Sequence, residues 1–196
     1  MRKRNPRGQG GSLRTALIEA ALRLLAADGG SGFSLRAAAR EAGIAAPSVY
    51  RHFPDRDRLR LAAIGVLFEE VSGLADLAEA ALPGGSAWER LLAVCAVPVR
   101  FAAVRPGHHA ALFAGGADGD PGGNAFGTPL LGRMTALVRE ILAAAGRMED
   151  PARLALLLWL GIQGVVSQRI ARPGADWPDA EELVRQLARR LVRPDG

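Results

Sequence analysis

The stretch that decides the fold is residues 34–53, SLRAAAREAGIAAPSVYRHF. Ser34 is a residue type that caps a helix by accepting a bond from a free backbone N–H, and the residues after it are apolar at helical spacing. Gly43 supplies the left-handed conformation in which helices end. Pro47 is tolerated in the first turn of a second helix. The stretch therefore predicts two short helices joined by a tight turn, which is the helix-turn-helix arrangement.

The second predicted helix has an inner and an outer face. Val49 and Phe53, four residues apart, would form the inner face, because side chains at that spacing lie above one another on a helix. Ser48, Tyr50 and His52 would then point outward. Since the second helix of a helix-turn-helix unit enters the major groove of DNA, these polar side chains predict a DNA-binding role.

These residues resemble the DNA-binding signature of the TetR family of bacterial transcription regulators. The matching positions are Leu17, Ala20, Ala21, Leu24, Gly29, Ser34, Leu35, Ala38, Ala39, Ala42, Gly43, Ile44, Tyr50, His52, Phe53, Arg56, Asp57 and Leu59. Two of them are variations, since Arg56 and Asp57 stand where the family has Lys and Glu. Ala45 stands where the family commonly has Ser, which removes a helix cap worth about 1 kcal/mol.

The predicted fold is all-α with about nine helices. The resemblance implies an N-terminal three-helix head joined by a long helix to a C-terminal helical bundle. We expect a disordered basic arm at 1–11, a DNA-binding domain at 12–54, and a ligand-binding and dimerisation domain at 55–196. The periodicity and the helix breakers predict helices at about 12–27, 55–82, 88–104, 108–114, 151–171 and 179–192, besides the two in the central stretch, and a further helix that begins at Phe126 or Pro129 and ends at about Ala145.

Local chemistry adds detail to these helices. Ser12, Asp55 and Asp150 are predicted caps, since their side chains accept backbone N–H bonds. Pro98 lies inside the fifth helix and predicts a kink or break, because its ring displaces a backbone bond. The Gly-rich segment 115–125 is predicted to be a flexible loop.

The charge is unevenly distributed. Residues 1–60 contain 12 Lys and Arg against 5 Asp and Glu, whereas the remaining residues contain 13 against 15. A basic half that coincides with the helix-turn-helix stretch is the pattern expected of a protein that meets phosphates. The single Cys95 excludes an internal disulfide framework and fits a reducing cytoplasm, and neither a signal peptide nor a membrane-spanning apolar run is predicted.

The predicted DNA contacts are in and beside the central stretch. Ser34, Arg36 and Arg56 are expected to hold phosphates, and Ala46 and Pro47 to approach thymine methyl groups. The full predicted set is Ser34, Arg36, Ala45, Ala46, Pro47, Ser48, Tyr50, His52 and Arg56.

The second half of the chain has the composition of a ligand pocket. Pockets between helices are mostly apolar with a few polar groups. The predicted lining is Trp88, Phe101, His109, Phe113, Phe126, Met134, Trp159 and Gln163. Because few of the candidate lining residues are charged, we predict a small, apolar and uncharged effector. Movement of the long fourth helix would transmit the binding of this effector to the head.

The eighth and ninth helices are predicted to form a homodimer surface, because one head reads too few base pairs for a specific site. The expected residues are Leu154, Leu157, Leu158, Gly161, Val165, Gln168, Leu183, Leu187 and Leu191. Gly161 and Gly164 would permit close helix approach.

Two other classes of function stay open at this point. A helical protein-interaction module would use the same apolar faces, and an enzyme would use the C-terminal pocket. The sequence has no nucleophile–base pair, Gly-Lys-Ser/Thr phosphate loop or metal-ligand spacing. We therefore predict no catalytic residues, no metal and no cofactor. The protein is predicted to be a cytoplasmic repressor that binds a palindromic operator and does not bind a membrane.

Overall fold

The computed structural model describes residues 10–28, 32–113 and 129–192, and within these ranges the secondary structure is entirely helical. The helices are α1 (Gly10–Asp28), α2 (Leu35–Glu41), α3 (Ala46–Val49), α4 (Arg56–Ala80), α5 (Ala87–Val104), α6 (Pro106–Phe113), α7 (Pro129–Ala144), α8 (Pro151–Ala171) and α9 (Ala180–Val192). The predicted all-α fold is confirmed.

Two predictions about the N-terminus have different outcomes. Helix α1 begins at Gly10, so Ser12 lies inside its first turn, and the prediction that Ser12 caps it was wrong. Of the predicted basic arm, residues 1–9 lie outside the described residues, and Gly10 and Gly11 are helical. The predicted loop at 115–125 also lies outside the described residues.

The chain divides into two compact units, Met1–Leu67 and Phe68–Gly196. The boundary falls inside α4, beyond the predicted end of the head at residue 54. The first unit has its own apolar core, in which α1, α2 and the start of α4 each contribute one face. Its buried side chains include Leu17, Ala20, Ala21, Leu25, Phe33, Leu35, Ala38, Val49, Phe53, Leu59 and Ala63.

The second unit is a bundle in which α7 and α8 pack against α5, and α9 packs against α8 and α5. Its fully buried side chains include Leu91, Val94, Met134, Val138, Leu142, Leu158 and Ile162. Burial also raises the pKa of the Cys95 thiol to about 12. Because the thiolate is the reactive form, Cys95 is an inert member of this core.

Helix α5 continues without interruption from Ala87 to Val104, so Pro98 does not break it as the sequence suggested. Ser86 and Glu89 form a capping box at its start, in which each side chain bonds to the backbone N–H of the other residue. Pro98 and its neighbours Val97 and Val99 are buried. Their packing offsets the single backbone bond that proline cannot donate.

Arginines attach the second half of α4 to the bundle. Arg90 on α5 bonds to Glu79 at 3.0 Å and to Glu140 on α7 at 2.7 Å. Arg133 on α7 bonds to Glu79 at 2.8 Å and also to Asp76. Both arginines are partly sheltered from solvent, so this network is worth more than scattered surface pairs.

Candidate DNA, ligand and dimer surfaces

The turn between α2 and α3 has the predicted geometry. The Ser34 hydroxyl accepts a hydrogen bond from the Ala37 N–H at 3.1 Å, which caps α2. Gly43 has φ of 65°, and the Ile44 N–H returns to the Ala39 carbonyl at 2.8 Å. The chain therefore leaves α2 in the left-handed conformation that glycine adopts most readily, and it reverses within a few residues.

Helix α3 is shorter than the sequence suggested. It ends at Val49, so Tyr50 is its C-terminal flanking residue and His52 lies in the following turn. Ala45 makes no side-chain cap at the other end, as its residue type predicted. Pro54 disfavours helical backbone at Phe53, the residue before it, so a helix could not continue beyond this turn.

The inner and outer faces of this turn are as predicted. Val49 and Phe53 are buried, and Tyr50 has 52% of its surface exposed. The Phe53 ring lies under the Arg14 guanidinium, 5.3 Å from it, which fixes the end of the turn against α1. Ala45, Ala46 and Pro47 are also exposed, while Ser48 and His52 are half-buried.

The basic residues of the first unit differ in how they are paired. Arg23 bonds to Glu41 at 2.8 Å, and Arg56 lies 3.3 Å from Asp57. Arg36 is exposed and has no carboxylate within ion-pair distance among the residues that the structure describes. Of the two predicted phosphate-binding arginines, Arg36 and Arg56, Arg36 therefore has the weaker interactions within the protein to give up when it binds DNA.

Two further arginines were missing from the predicted set. Arg40 and Arg51 are exposed and, within the described ranges, have no ion pair. Arg40 lies on α2, four residues after Arg36, and Arg51 lies directly after Tyr50. The excess positive charge of residues 1–60 pointed to them, but charge alone does not separate a phosphate contact from a solvated side chain.

The second unit encloses a small apolar cavity of about 10 Å³, roughly the space of one water molecule. It brings together three predicted lining residues, Phe101, His109 and Trp159, and His109 is the one polar residue among those that line it. The other lining residues were not predicted: Phe68, Val71, Pro98, Leu112, Pro129 and Leu130. They come from several helices, and the sequence carries no signal of which apolar residues meet.

The remaining predicted pocket residues lie elsewhere. Met134 is fully buried in the core and does not line the cavity. Trp88 was wrongly grouped with the cavity: it lines a separate surface groove with Ile141 and Val192, because it lies at the opposite end of α5 from Phe101. Phe126 and the side chain of Phe113 lie outside the part of the chain that the structure describes.

His109 is the unusual group in this unit, because only 2% of its surface is exposed. Burial lowers its pKa to about 4, and a hydrogen bond with Gln163 partly opposes that shift. The imidazole is therefore neutral at pH 7. The Gln163 amide is itself sheltered from solvent and, apart from the contact with His109, has no hydrogen-bond partner of good geometry among the described residues.

Neutral burial of His109 predicts a loss of stability in acid. The unfolded chain protonates this group near its ordinary pKa of 6.5, whereas the folded chain resists protonation until about pH 4. Stability should therefore fall as the pH drops from about 6.5 to about 4, by roughly 3 kcal/mol from this group. Denaturant unfolding of His109→Gln across that range should show a decline smaller by this amount. His52→Gln, at a half-buried histidine of the first unit, is the control, and an equal decline in the His109→Gln variant and the unmodified protein would contradict the assignment.

The outer side of α8 is apolar and exposed. Leu157 and Leu160 have 44% and 45% of their surfaces exposed, and a Cβ at Gly164 would meet no atom within 4 Å. Helix α8 is long and apolar enough to cross a membrane by length and composition, with a mean hydropathy of 1.4, yet 28% of that stretch is buried in the subunit. Neighbouring exposed apolar side chains of this kind mark a candidate interaction surface.

Several predicted dimer residues pack inside the subunit instead. Leu158 is fully buried, so its place on a dimer surface was wrong: it lies about 100° around the helix from Leu157. Gly161 does permit close helix approach, but to α9 of the same subunit, since a Cβ there would lie 2.1 Å from Leu187 Cδ2. Half-buried positions are Leu154, Val165, Leu183, Leu187 and Leu191, and Gln168 is exposed.

Comparisons with known proteins match both units. A family model described as bacterial regulatory proteins, tetR family, matches residues 17–63, and one described as tetracyclin repressor-like, C-terminal domain, matches residues 91–191. The first match contains the whole helix-turn-helix. The second covers more than half of the chain and contains α6, α7 and α8.

Individual relatives agree with these matches. The transcriptional repressor KstR of Mycolicibacterium smegmatis is 33% identical over 78 residues, which are 40% of this chain and 37% of KstR. An uncharacterized HTH-type transcriptional regulator of Haemophilus influenzae is 55% identical over 49 residues, 24% of each chain. The matched region thus spans well under half the length of these curated relatives.

A solved structure is similar over almost the full length. A candidate transcriptional regulator from Pseudomonas aeruginosa PAO1 superposes with a TM-score of 0.80 at 21% identity, covering 96% of this chain and 94% of that one. At this identity the likeness concerns the fold. The helices of the two chains have the same order and the same connections.

Proposed function

Because the chain belongs to the TetR family of bacterial regulatory proteins, we propose that it is a repressor that binds a palindromic operator as a homodimer and is released by a small apolar effector. The helix-turn-helix geometry carries this proposal. Ser34 caps α2, Gly43 turns the chain, and Val49 and Phe53 are buried while Tyr50 is exposed. The family is one of regulators rather than enzymes, which makes the enzyme alternative the weaker one.

The proposed function has a direct test. The full-length protein should bind selectively to a DNA fragment from around its own gene in the presence of excess unrelated DNA, measured by gel shift at physiological salt. Specific regulators bind such sites ~10³-fold or more tighter than unrelated DNA. Equal affinity for both DNAs would remove operator binding and favour a protein-interaction module.

The unpaired Arg36 gives a prediction about salt. Each phosphate contact contributes about 0.9 to the slope of log affinity against log salt, and a dimer carries Arg36 twice. Arg36→Ala should therefore weaken binding to specific and unrelated DNA alike and reduce the magnitude of the slope by about two. Arg23→Ala is the matched control, because Arg23 is already bonded to Glu41. A slope that is unchanged in Arg36→Ala would remove this phosphate contact.

The cavity supports an apolar, uncharged effector. Apart from His109, which is neutral at pH 7, its lining consists of apolar side chains and prolines. A charged ligand would lose its hydration there without a partner of opposite charge. Since the space is about 10 Å³, an effector must displace lining side chains to enter.

A chain of contacts joins one of these side chains to α4. The Phe101 ring lies under the Arg105 guanidinium at 5.4 Å, and Nη1 of Arg105 donates to both carboxylate oxygens of Glu70 on α4, at 2.5 and 2.7 Å. An effector that moves Phe101 would disturb this ion pair. Helix α4 belongs to both units, since the boundary between them lies within it.

Effector coupling is tested through its reciprocity. A compound that binds the second unit should weaken operator binding by a given factor, and operator DNA should weaken binding of that compound by the same factor. A coupling of about 1–3 kcal/mol is typical. Glu70→Gln should reduce it, with Glu69→Gln, an exposed neighbour without an ion pair in the described ranges, as the control. Compounds that bind without changing operator affinity would contradict the effector proposal and leave DNA binding intact.

A further inference from the structure

A second recess, distinct from the cavity, lies between the later part of α5, the end of α8 and the start of α9. This groove, which we call the α5–α8–α9 groove, has a volume of about 590 Å³, within the ~300–1,000 Å³ range of small-molecule sites. It shares no lining residue with the cavity. Its floor is apolar and is formed by Val99, Ala102, Val166, Ile170 and Ala180.

Both acidic residues of the groove, Asp179 and Glu181, already accept hydrogen bonds from other residues. Both carboxylate oxygens of Glu181 accept hydrogen bonds from Arg100, at 2.7 and 2.9 Å, and this pairing lowers the pKa of Glu181. Asp179 accepts the Glu182 N–H at 2.7 Å and so caps α9. Glu181 is therefore already paired with a cation, and one oxygen of Asp179 is used by the helix cap.

Of the two arginines that line the groove, Arg100 is paired with Glu181, and Arg169 has no ionic partner among the described residues. Its guanidinium donates to the Pro178 carbonyl at 2.6 Å, and no carboxylate lies within ion-pair distance of it in the described part of the chain. A guanidinium has several N–H donors and no acceptor, so most of its hydrogen-bonding capacity is unused. The groove consequently offers spare donors beside an apolar floor.

We propose that the α5–α8–α9 groove binds a monocarboxylate with an apolar tail. The carboxylate would pair with Arg169, since guanidinium and carboxylate match as a charge-assisted fork. The tail would cover the apolar floor. Asp179 and Glu181 flank the site, and their negative charges disfavour a dianion such as a phosphate monoester more than they disfavour a monoanion.

Decanoate is a suitable probe. Decanol, which has an alkyl chain of the same length but no negative charge, and inorganic phosphate, which has negative charge but no alkyl chain, are the two controls. Titration calorimetry of the full-length protein should show decanoate binding with at least ~10-fold higher affinity than either control. Arg169→Gln should remove that advantage. Arg153→Gln is the matched control, an exposed arginine of α8 without an ion pair among the described residues.

A second variant locates the site independently of Arg169. Ala103 is exposed and lines the groove, so Ala103→Trp fills it from the solvent side without entering the core. It should reduce decanoate affinity by at least ~10-fold, and thermal unfolding checks that each variant is folded. No decanoate binding, equal affinity for decanol, or unchanged binding in either groove variant would each overturn the proposal. None of these outcomes depends on DNA binding.

Discussion

Tyr50→Ala combined with His52→Ala is expected to reduce operator affinity by at least about 10³-fold while leaving the protein folded. Side-chain contacts to bases are each worth roughly 1–3 kcal/mol, and a dimer carries every substitution in both heads. Tyr50 is 52% exposed, so its loss removes little of the subunit's own packing. Surface changes of this kind alter stability by about 0.5 kcal/mol or less.

Fluorescence anisotropy with operator and unrelated DNA measures this effect. Specific binding should fall steeply and binding to unrelated DNA should change little, because phosphate contacts supply most of the latter. Met148→Ala, at a position that is 96% exposed and lies in the second unit, is the control. Equal losses on both DNAs would assign these side chains to the phosphates instead, and no loss on either would remove them from the interface.

Local chemistry made the helix-turn-helix predictable from the sequence. A cap depends on one side chain and the backbone a few residues away, and Ser34, Asp55 and Asp150 accept the N–H bonds that their positions predicted. The positive φ of Gly43 likewise follows from its residue type. The inner face of Val49 and Phe53 needed only the helical period.

The cavity and the dimer surface depend on long-range packing, which the sequence does not encode locally. Phe68, Pro98 and Leu130 line the cavity because five helices, α4 to α8, meet there, and no spacing along the chain predicts that meeting. In α8, apolar residues lie on every side, so the period could not separate the buried Leu158 from the exposed Leu160. Gly161 was predicted correctly as a close-approach position, but α9 of the same subunit fills it.

The outer face of α8 supports the dimer proposal with a revised set of residues. Leu157, Leu160, Gly164 and Gln168 recur at helical spacing and are exposed in the subunit. A second copy covering this face would bury the same patch on both chains, as a two-fold contact requires. The absence of a Cβ at Gly164 would let the two helices approach closely.

Leu157→Glu combined with Leu160→Glu should therefore convert the protein to monomers. Each carboxylate would have to be desolvated opposite its symmetry mate, which opposes association. The subunit itself should remain folded, because both leucines are nearly half exposed within it. Sedimentation at micromolar concentration should give the monomer mass for this variant and the dimer mass for Met148→Glu, which adds charge at an exposed position in the connection before α8.

Loss of the dimer should carry through to DNA. Two linked heads bind a two-part site more tightly than one head by about 10²- to 10⁴-fold, because the second contact becomes intramolecular. The glutamate variant should lose operator affinity by that factor although its heads are unchanged, and its salt slope should fall by about half, since only one head neutralises phosphates. A variant that stays dimeric would exclude this face of α8 as the interface. A monomer that retained full operator affinity and the full salt slope would show that a single head is sufficient for specific binding. The prediction of a palindromic operator would then be wrong.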